Sequence, residues 1–357
     1  MEELNILVTG NGFDLHHQMK TRYTDFLEFV KKFYDSSNEQ QEYYLNLMKK
    51  VNNDEKLSKF NKHGDSDFIM YFCSYSREIN GWVDFEQLIK NVTDFFKWFI
   101  DQDEYILHMI DMEYGDRIIC SNFQKIFDVD NLRQRCTLKE KYRSNLLGID
   151  GKKIRECLCK EFDNLCIIFM TYLDVVEPVT RDENNIWVYK QIKNIRADHV
   201  ITFNYTNTYK RYEIQKEQIT YLHGSLENEN IVLGYNDDNE KELEFVYFKK
   251  YFQCIIKDTE ILENTIDKID KQFFRASSVK PVERVHIHFF GHSLDKTDKE
   301  ELVQLLEWGT YVTVYYLDLD DKCEKIMKII DLLEKEKAVK RIKEKTIVFE
   351  QITDNRC

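Results

Sequence analysis

The chain has 357 residues, 43% of them hydrophobic, which suffices for a sizeable core and is long for one compact domain, so two domains or one domain with a large insertion fit. Its 51 basic and 64 acidic residues give a net charge of −13, which argues against broad attraction to nucleic acid or anionic lipid and leaves only a local basic groove open. No apolar run reaches the length of a membrane span, and Met-Glu-Glu passes straight into a strand without a basic segment and apolar h-region, so a cytoplasmic protein is expected.

Residues 5–9 read as a buried first strand, and Gly10-Asn11-Gly12 as the turn that feeds a helix. Roughly 180 residues of mainly helical periodicity follow, clearest at 23–33, 85–99 and 154–173. The next strands fall at 199–203, 219–222, 285–290, 311–317 and 346–349. After His286 the rhythm is strand, helix, strand, helix, strand, with helices near 298–308 and 322–337, the signature of a parallel sheet. Thr297 or Asp298 stands where an N-cap belongs, ahead of Glu300 and Glu301 in the first turn. The fold class is therefore α/β, with residues 1–20 and 196–357 in one domain and 21–195 as a helical insertion after the first strand. Only two prolines and 14% aromatics agree with long helices and Phe and Tyr packing.

Four short polar motifs each follow a strand-like run: Gly10-Asn11-Gly12-Phe13-Asp14, Phe203-Asn204-Tyr205-Thr206, Leu222-His223-Gly224-Ser225 and Gly291-His292-Ser293-Leu294-Asp295. In an open parallel sheet, loops after strand C-termini converge on the topological switch point, so distant residues can line one crevice.

Each motif has two readings. Gly10 and Gly12 let backbone approach a phosphate at a helix start, or simply make a tight turn. Leu15 occupies the third glycine's place of GxGxxG, and no suitably placed acid follows a second strand, so the dehydrogenase fingerprint is absent. Asn204 offers an amide to a ligand carboxamide or ribose, or caps a turn. His223 titrates near neutrality and can move a proton, or is structural, and Gly224 allows close approach to it. Gly291-His292-Ser293 lies between strand and helix, as anion binding or helix capping requires. Asp318, Asp320 and Asp321 follow a strand, where an acid holds ribose hydroxyls or forms a solvated turn.

No metal is expected. His286, His288 and His292 form H-x-H-x3-H, but no carboxylates are evident beside them and the strand reads as buried. Nine cysteines lack paired CxxC spacing, and the cluster Cys157, Cys159, Cys166 lies in a helix-like run, so reduced thiols are the expectation.

Gly10-Asn11-Gly12-Phe13-Asp14-Leu15 with Thr21-x-Tyr23-x-x-Phe26 resembles the opening of the AbiH bacteriophage abortive-infection family. Trp82-Val83-Asp84-Phe85-Glu86 and the motifs at Asn204, His223 and Gly291 resemble its later motifs, over nearly the whole chain. More distantly, the order of Gly-x-Gly, Asn after a strand, His-Gly and Gly-x-Ser-Leu resembles sirtuins and sirtuin-like defence enzymes, which bind NAD on a Rossmann-like parallel sheet.

That second resemblance implies NAD as substrate, with Asn204 at the nicotinamide ribose, His223 as base and Asp14 stabilising charge on the ribose or holding a hydroxyl. Gly10, Asn11, Gly12 and Phe13 would meet the dinucleotide, as would Thr202, Gly224, Gly291, Ser293 and, at the adenosine ribose, Asp318. The four-cysteine zinc module and the Gln before the Asn of sirtuin deacylases are missing, Phe203 standing in the latter's place, so deacylation is not implied. The resemblances together imply an anti-phage NAD glycohydrolase releasing nicotinamide and ADP-ribose. The contrasting expectation is a non-catalytic sensor module that binds NAD or ADP-ribose, and a nucleic-acid enzyme ranks last. A lethal activity needs restraint, which implies a phage-derived activator or a homo-oligomer, with the helical region as sensor or oligomer surface. Trp82, Asp84 and Glu86 are expected either at its junction with the sheet or at a helix start beside a buried Trp.

Overall fold

The structure is a computed structural model, and it describes residues 3–34, 58–59, 62, 66–78, 84–101, 130–132, 135–137, 140–142, 150–179, 190–212, 214–236, 243–276 and 284–353. The chain divides into two compact units. The sheet unit comprises Met1–Thr21, Val176–Ile231 and Lys257–Cys357; the helical unit comprises Arg22–Val175 and Val232–Ile256.

Six parallel strands build the sheet unit: β1 (Glu3–Thr9), β4 (His199–Thr202), β5 (Ile219–Tyr221), β6 (Arg284–Phe290), β7 (Tyr311–Tyr316) and β8 (Ile347–Gln351). In the helical unit β2 (Asp130–Leu132) and β3 (Arg135–Thr137) pair antiparallel. The sheet order is β5-β4-β1-β6-β7-β8. Numbered among themselves, the six strands run 3-2-1-4-5-6, the order of a Rossmann-like doubly wound sheet. The order reverses between β1 and β6, which pair from Glu3↔Arg284 to Thr9↔Phe290, so the loops leaving Thr9 and Phe290 emerge side by side.

Strands covered on both faces read as unbroken apolar runs, and Ile6, Leu7 and Val8 are all fully buried. On one face Ile6, Val8, Ile201, Ile287 and Val312 share a core with Ile269 of α8 (Leu262–Ala276), Leu302 and Leu305 of α9 (Lys299–Trp308), Ile329 of α10 (Leu319–Leu333) and Ala338 of α11 (Lys335–Lys343). On the other face Leu7, Val200 and Phe290 pack with Phe13 of α1 (Asn11–His16), Ile192 and Ile195 of α6 (Lys190–Ile195), and Tyr209. Burying each such side chain contributes about 1.5–3 kcal/mol, which fixes the strands and hence the loops at their ends.

The helical unit is built on aromatic side chains. Tyr23 and Phe26 of α2 (Tyr23–Tyr34) meet Phe85 of α4 (Phe85–Asp101) and Phe169 of α5 (Gly151–Val179), the Tyr23 and Phe85 rings stacking at 3.9 Å. Asp67 opens α3 (Asp67–Glu78), and its buried carboxylate shares the Lys141 ammonium with Glu161, at 2.6 and 2.7 Å. The Tyr142 hydroxyl donates to Asp67 at 2.7 Å, giving the buried carboxylate a second donor beside the lysine.

Two boundaries differ from the sequence expectation. Residues 232–256, expected in the nucleotide-binding domain, belong to the helical unit. Phe248 packs against Phe68 and Phe162, the Thr93 hydroxyl donates to the Tyr235 hydroxyl at 3.0 Å, and Lys250 of α7 (Lys250–Ile256) pairs with Glu86 at 3.2 Å. Residues 176–195, expected in the insertion, belong to the sheet unit, where Ile192 and Ile195 join the core beside β4. The single helix expected at 322–337 is two, because Glu334 adopts φ +65° and breaks α10 from α11. Asp84 caps α4 by accepting from the Gln87 N–H at 3.1 Å, Glu86 makes the Lys250 pair, and Trp82 lies outside the described residues.

Candidate functional site at the strand C-termini

At the switch point two glycine turns interlock. The Gly12 N–H donates to the Gly291 carbonyl at 2.8 Å, and the Phe13 N–H to the Gly10 carbonyl at 2.9 Å. Gly291 has φ +66°, and a Cβ there would lie 2.2 Å from the Phe13 nitrogen; a Cβ on Gly12 would lie 2.6 Å from the Gly291 oxygen. The space left by the missing side chains, expected to admit a phosphate, is filled by the opposing turn. Phe13, expected at the dinucleotide, is fully buried and stacks on Tyr209 at 5.1 Å, so its ring serves the core instead. Asn11 is exposed, its Oδ1 accepting from the Thr21 hydroxyl at 2.5 Å.

Asn204 reaches this turn from the end of β4. Its Nδ2 donates to the Gly10 carbonyl at 2.9 Å, while its backbone N–H donates to Thr202 Oγ1 at 2.9 Å. The Asn204 Oδ1 has no hydrogen-bond partner among the described residues. Thr202 is fully buried in a hydroxyl network with Thr9 and Tyr209, and burial pushes the Tyr209 phenol well above its ordinary pKa. Asp14 is 1% exposed, and its carboxylate accepts from the Thr206 and Thr208 hydroxyls at 2.7 and 2.6 Å. These bonds brace the segment that carries Asn204.

His223 ends the β5 side of the site. Gly224 behind it has φ +76°, and a Cβ there would meet the Asn230 carbonyl at 2.1 Å, so only glycine closes this turn. His223 Nε2 lies 3.6 Å from Asp298 Oδ1, and His292 Nε2 lies 3.8 Å from Asp298 Oδ2. The Phe203 ring stands edge-on to both imidazoles, at 5.4 and 4.3 Å. Lys325 of α10, itself buried, donates to the His292 carbonyl at 3.0 Å and pairs with Asp321 at 3.2 Å.

Through these contacts Gly10, Gly12, Asn204, Gly291 and His223 form one connected cluster over the ends of β5, β4, β1 and β6. Ser293 is exposed in the turn after β6. Asp318 sits apart, beyond β7, where it caps α10 by accepting from the Asp321 N–H at 2.9 Å. Sequence reasoning read Asp298 only as a possible helix cap and did not single out Lys325; neither carries a local signal of its true partner.

The other histidines of the H-x-H-x3-H run face a different surface. His286 and His288 stack at 3.9 Å and bond Thr313 and Tyr315 on β7. Burial pushes His288 down to about 3 and His286 below its ordinary value, so both rings are neutral at pH 7. Among the described residues no group of three His, Cys, Asp or Glu is placed to hold a metal.

Two curated relatives are each a subunit of an ATP-dependent helicase/deoxyribonuclease, from Lactococcus lactis subsp. lactis (strain IL1403) and subsp. cremoris (strain SK11). They are 29% and 28% identical to this chain over 150 residues, 40% of this chain and 13% of their own length. A family model, Bacteriophage abortive infection AbiH, matches residues 6–316, a stretch that holds the Gly10 turn, Asn204, His223 and the Gly291 turn. The chain belongs to the bacteriophage abortive infection AbiH family.

Proposed function

We propose that this AbiH protein acts in phage abortive infection as a NAD glycohydrolase, cleaving NAD to nicotinamide and ADP-ribose. The observation that carries the reading is that Asn204, bonded to the Gly10 turn, and the His223–Asp298 pair, packed on the adjacent Phe203 ring, both lie at the strand ends of a Rossmann-like sheet. That is where such sheets hold dinucleotides. The resemblance of the motif order to sirtuin-like NAD enzymes supports the same substrate.

The reaction breaks the C1′–N bond, the electron pair returning to the pyridinium nitrogen, and water adds to C1′. No general acid is required, because the leaving group departs from a cation. Asn204, tethered to Gly10 by its Nδ2, turns its Oδ1 to a ribose hydroxyl or the water, and His223 takes the proton released. Asp14 acts through Thr206 and Thr208 as a brace. With the Gly12 and Phe13 amides engaged by carbonyls, the diphosphate is left the exposed side of the turns, at Asn11 and Ser293.

The contrasting reading is a sensor that binds NAD or ADP-ribose without turnover. Chromatography of nicotinamide released from NAD separates the two, with His223→Ala and Asn204→Ala alongside and phage lysate as activator. The glycohydrolase reading expects release by the unaltered protein and loss in both variants. Tight NAD binding with no release under any condition selects the sensor. The helical unit, as sensor or oligomer surface, belongs to the same proposal.

A further inference from the structure

Asp298 is the residue before α9, where an aspartate ordinarily accepts a first-turn N–H and stabilises the helix by about 1 kcal/mol. It makes no side-chain cap bond. Its two carboxylate oxygens are instead turned to His223 Nε2 and His292 Nε2, at 3.6 and 3.8 Å. The side chains are 13%, 8% and 3% exposed for Asp298, His223 and His292, so water screens these pairs weakly.

The His292 tautomer is set from elsewhere. Its Nδ1 accepts the Leu294 N–H at 2.9 Å, so the neutral ring carries its proton on Nε2, toward Asp298. One oxygen thereby faces the His292 Nε2–H and the other faces His223. A helix cap forgone for a two-histidine contact in a sheet-end cluster is what a positioned catalytic base requires.

We infer that Asp298 is the positioning residue of the site: it orients His223 and stabilises the imidazolium formed when His223 takes a proton, while His292 anchors the carboxylate. This rests on the reading of His223 as the base. The proton moves from the attacking water or a ribose hydroxyl to Nδ1 of His223, whose Nε2–H is turned to Asp298.

Asp298→Asn keeps the shape and removes the charge, and it should lower kcat for nicotinamide release about 100-fold with KM unchanged. Asp298→Glu should recover part of the loss. Side-chain 15N NMR gives a readout independent of turnover: the unaltered protein should show the Nε2–H tautomer at His223, and Asp298→Ala should move it away. Wild-type kcat in Asp298→Asn, or a His223 tautomer indifferent to Asp298→Ala, overturns the inference. An unaltered protein that shows the tautomer dependence but releases no nicotinamide overturns the base role of His223 and retains the orientation by Asp298.

Discussion

Replacing Gly291 with alanine tests the interlocked turns directly. The residue holds φ +66°, which costs an alanine about 1–2 kcal/mol. Its Cβ would lie 2.2 Å from the Phe13 nitrogen and 2.5 Å from the Gly12 carbon, both backbone atoms of the opposing turn. The turns must part, which forfeits the Gly12 N–H to Gly291 bond, about 1 kcal/mol, and adds roughly 1–3 kcal/mol of displaced packing. The combined loss is about 3–6 kcal/mol. At the low end, the melting temperature of a unit this size falls by roughly 6–12 °C. Gly309→Ala is the matched control, because the atoms nearest its Cβ belong to the Ile287 and Val312 side chains, at 3.1 Å, rather than to backbone, and no positive φ is involved. Urea unfolding of the two variants beside the unaltered protein makes the comparison. Gly291→Ala within 1 kcal/mol of the unaltered protein, or no worse than Gly309→Ala, would refute the interlock.

Acid should weaken the fold through its buried histidines. Burial holds His288 at about 3 and His199 at about 4 against an ordinary 6.5, so below pH 6.5 the unfolded chain takes up protons that the folded one refuses. Stability is complete above 6.5 and falls with pH; His288 alone accounts for about 3 kcal/mol lost by pH 4. Urea midpoints from pH 7 to 4 should drop accordingly and flatten in His288→Gln; an unchanged slope in that variant contradicts the assignment. Asp14→Ala should cost about 2–4 kcal/mol, since the buried Thr206 and Thr208 hydroxyls lose their acceptor. A loss under 1 kcal/mol in denaturant titration would remove Asp14 as a brace.

The strands of the sheet were legible because they are buried on both faces and punctuated by glycine or polar turns, as at Val8-Thr9-Gly10 and Phe289-Phe290-Gly291. Strand order was not read from the sequence, since pairing of β1 with β6 joins residues separated by most of the chain. The same distance hid what the glycines are for: nothing local to Gly12 announces the Gly291 carbonyl. Asp298 was masked by its own position, because an Asp ahead of Glu300 and Glu301 reads as a cap and only the fold brings His223 and His292 to it. The break at Glu334 carried neither glycine nor proline, and the short elements of residues 232–256 carried no period long enough to show which core they join.

The proposed NAD cleavage turns on proton transfer to His223. The most direct measurement is the rate of nicotinamide release by the unaltered protein and by His223→Ala, with NAD affinity of both taken by calorimetry on the same preparations. A fall of at least ~100-fold in rate with affinity largely kept is expected. Equal rates in the two proteins, or binding of NAD by both with release by neither, would contradict it.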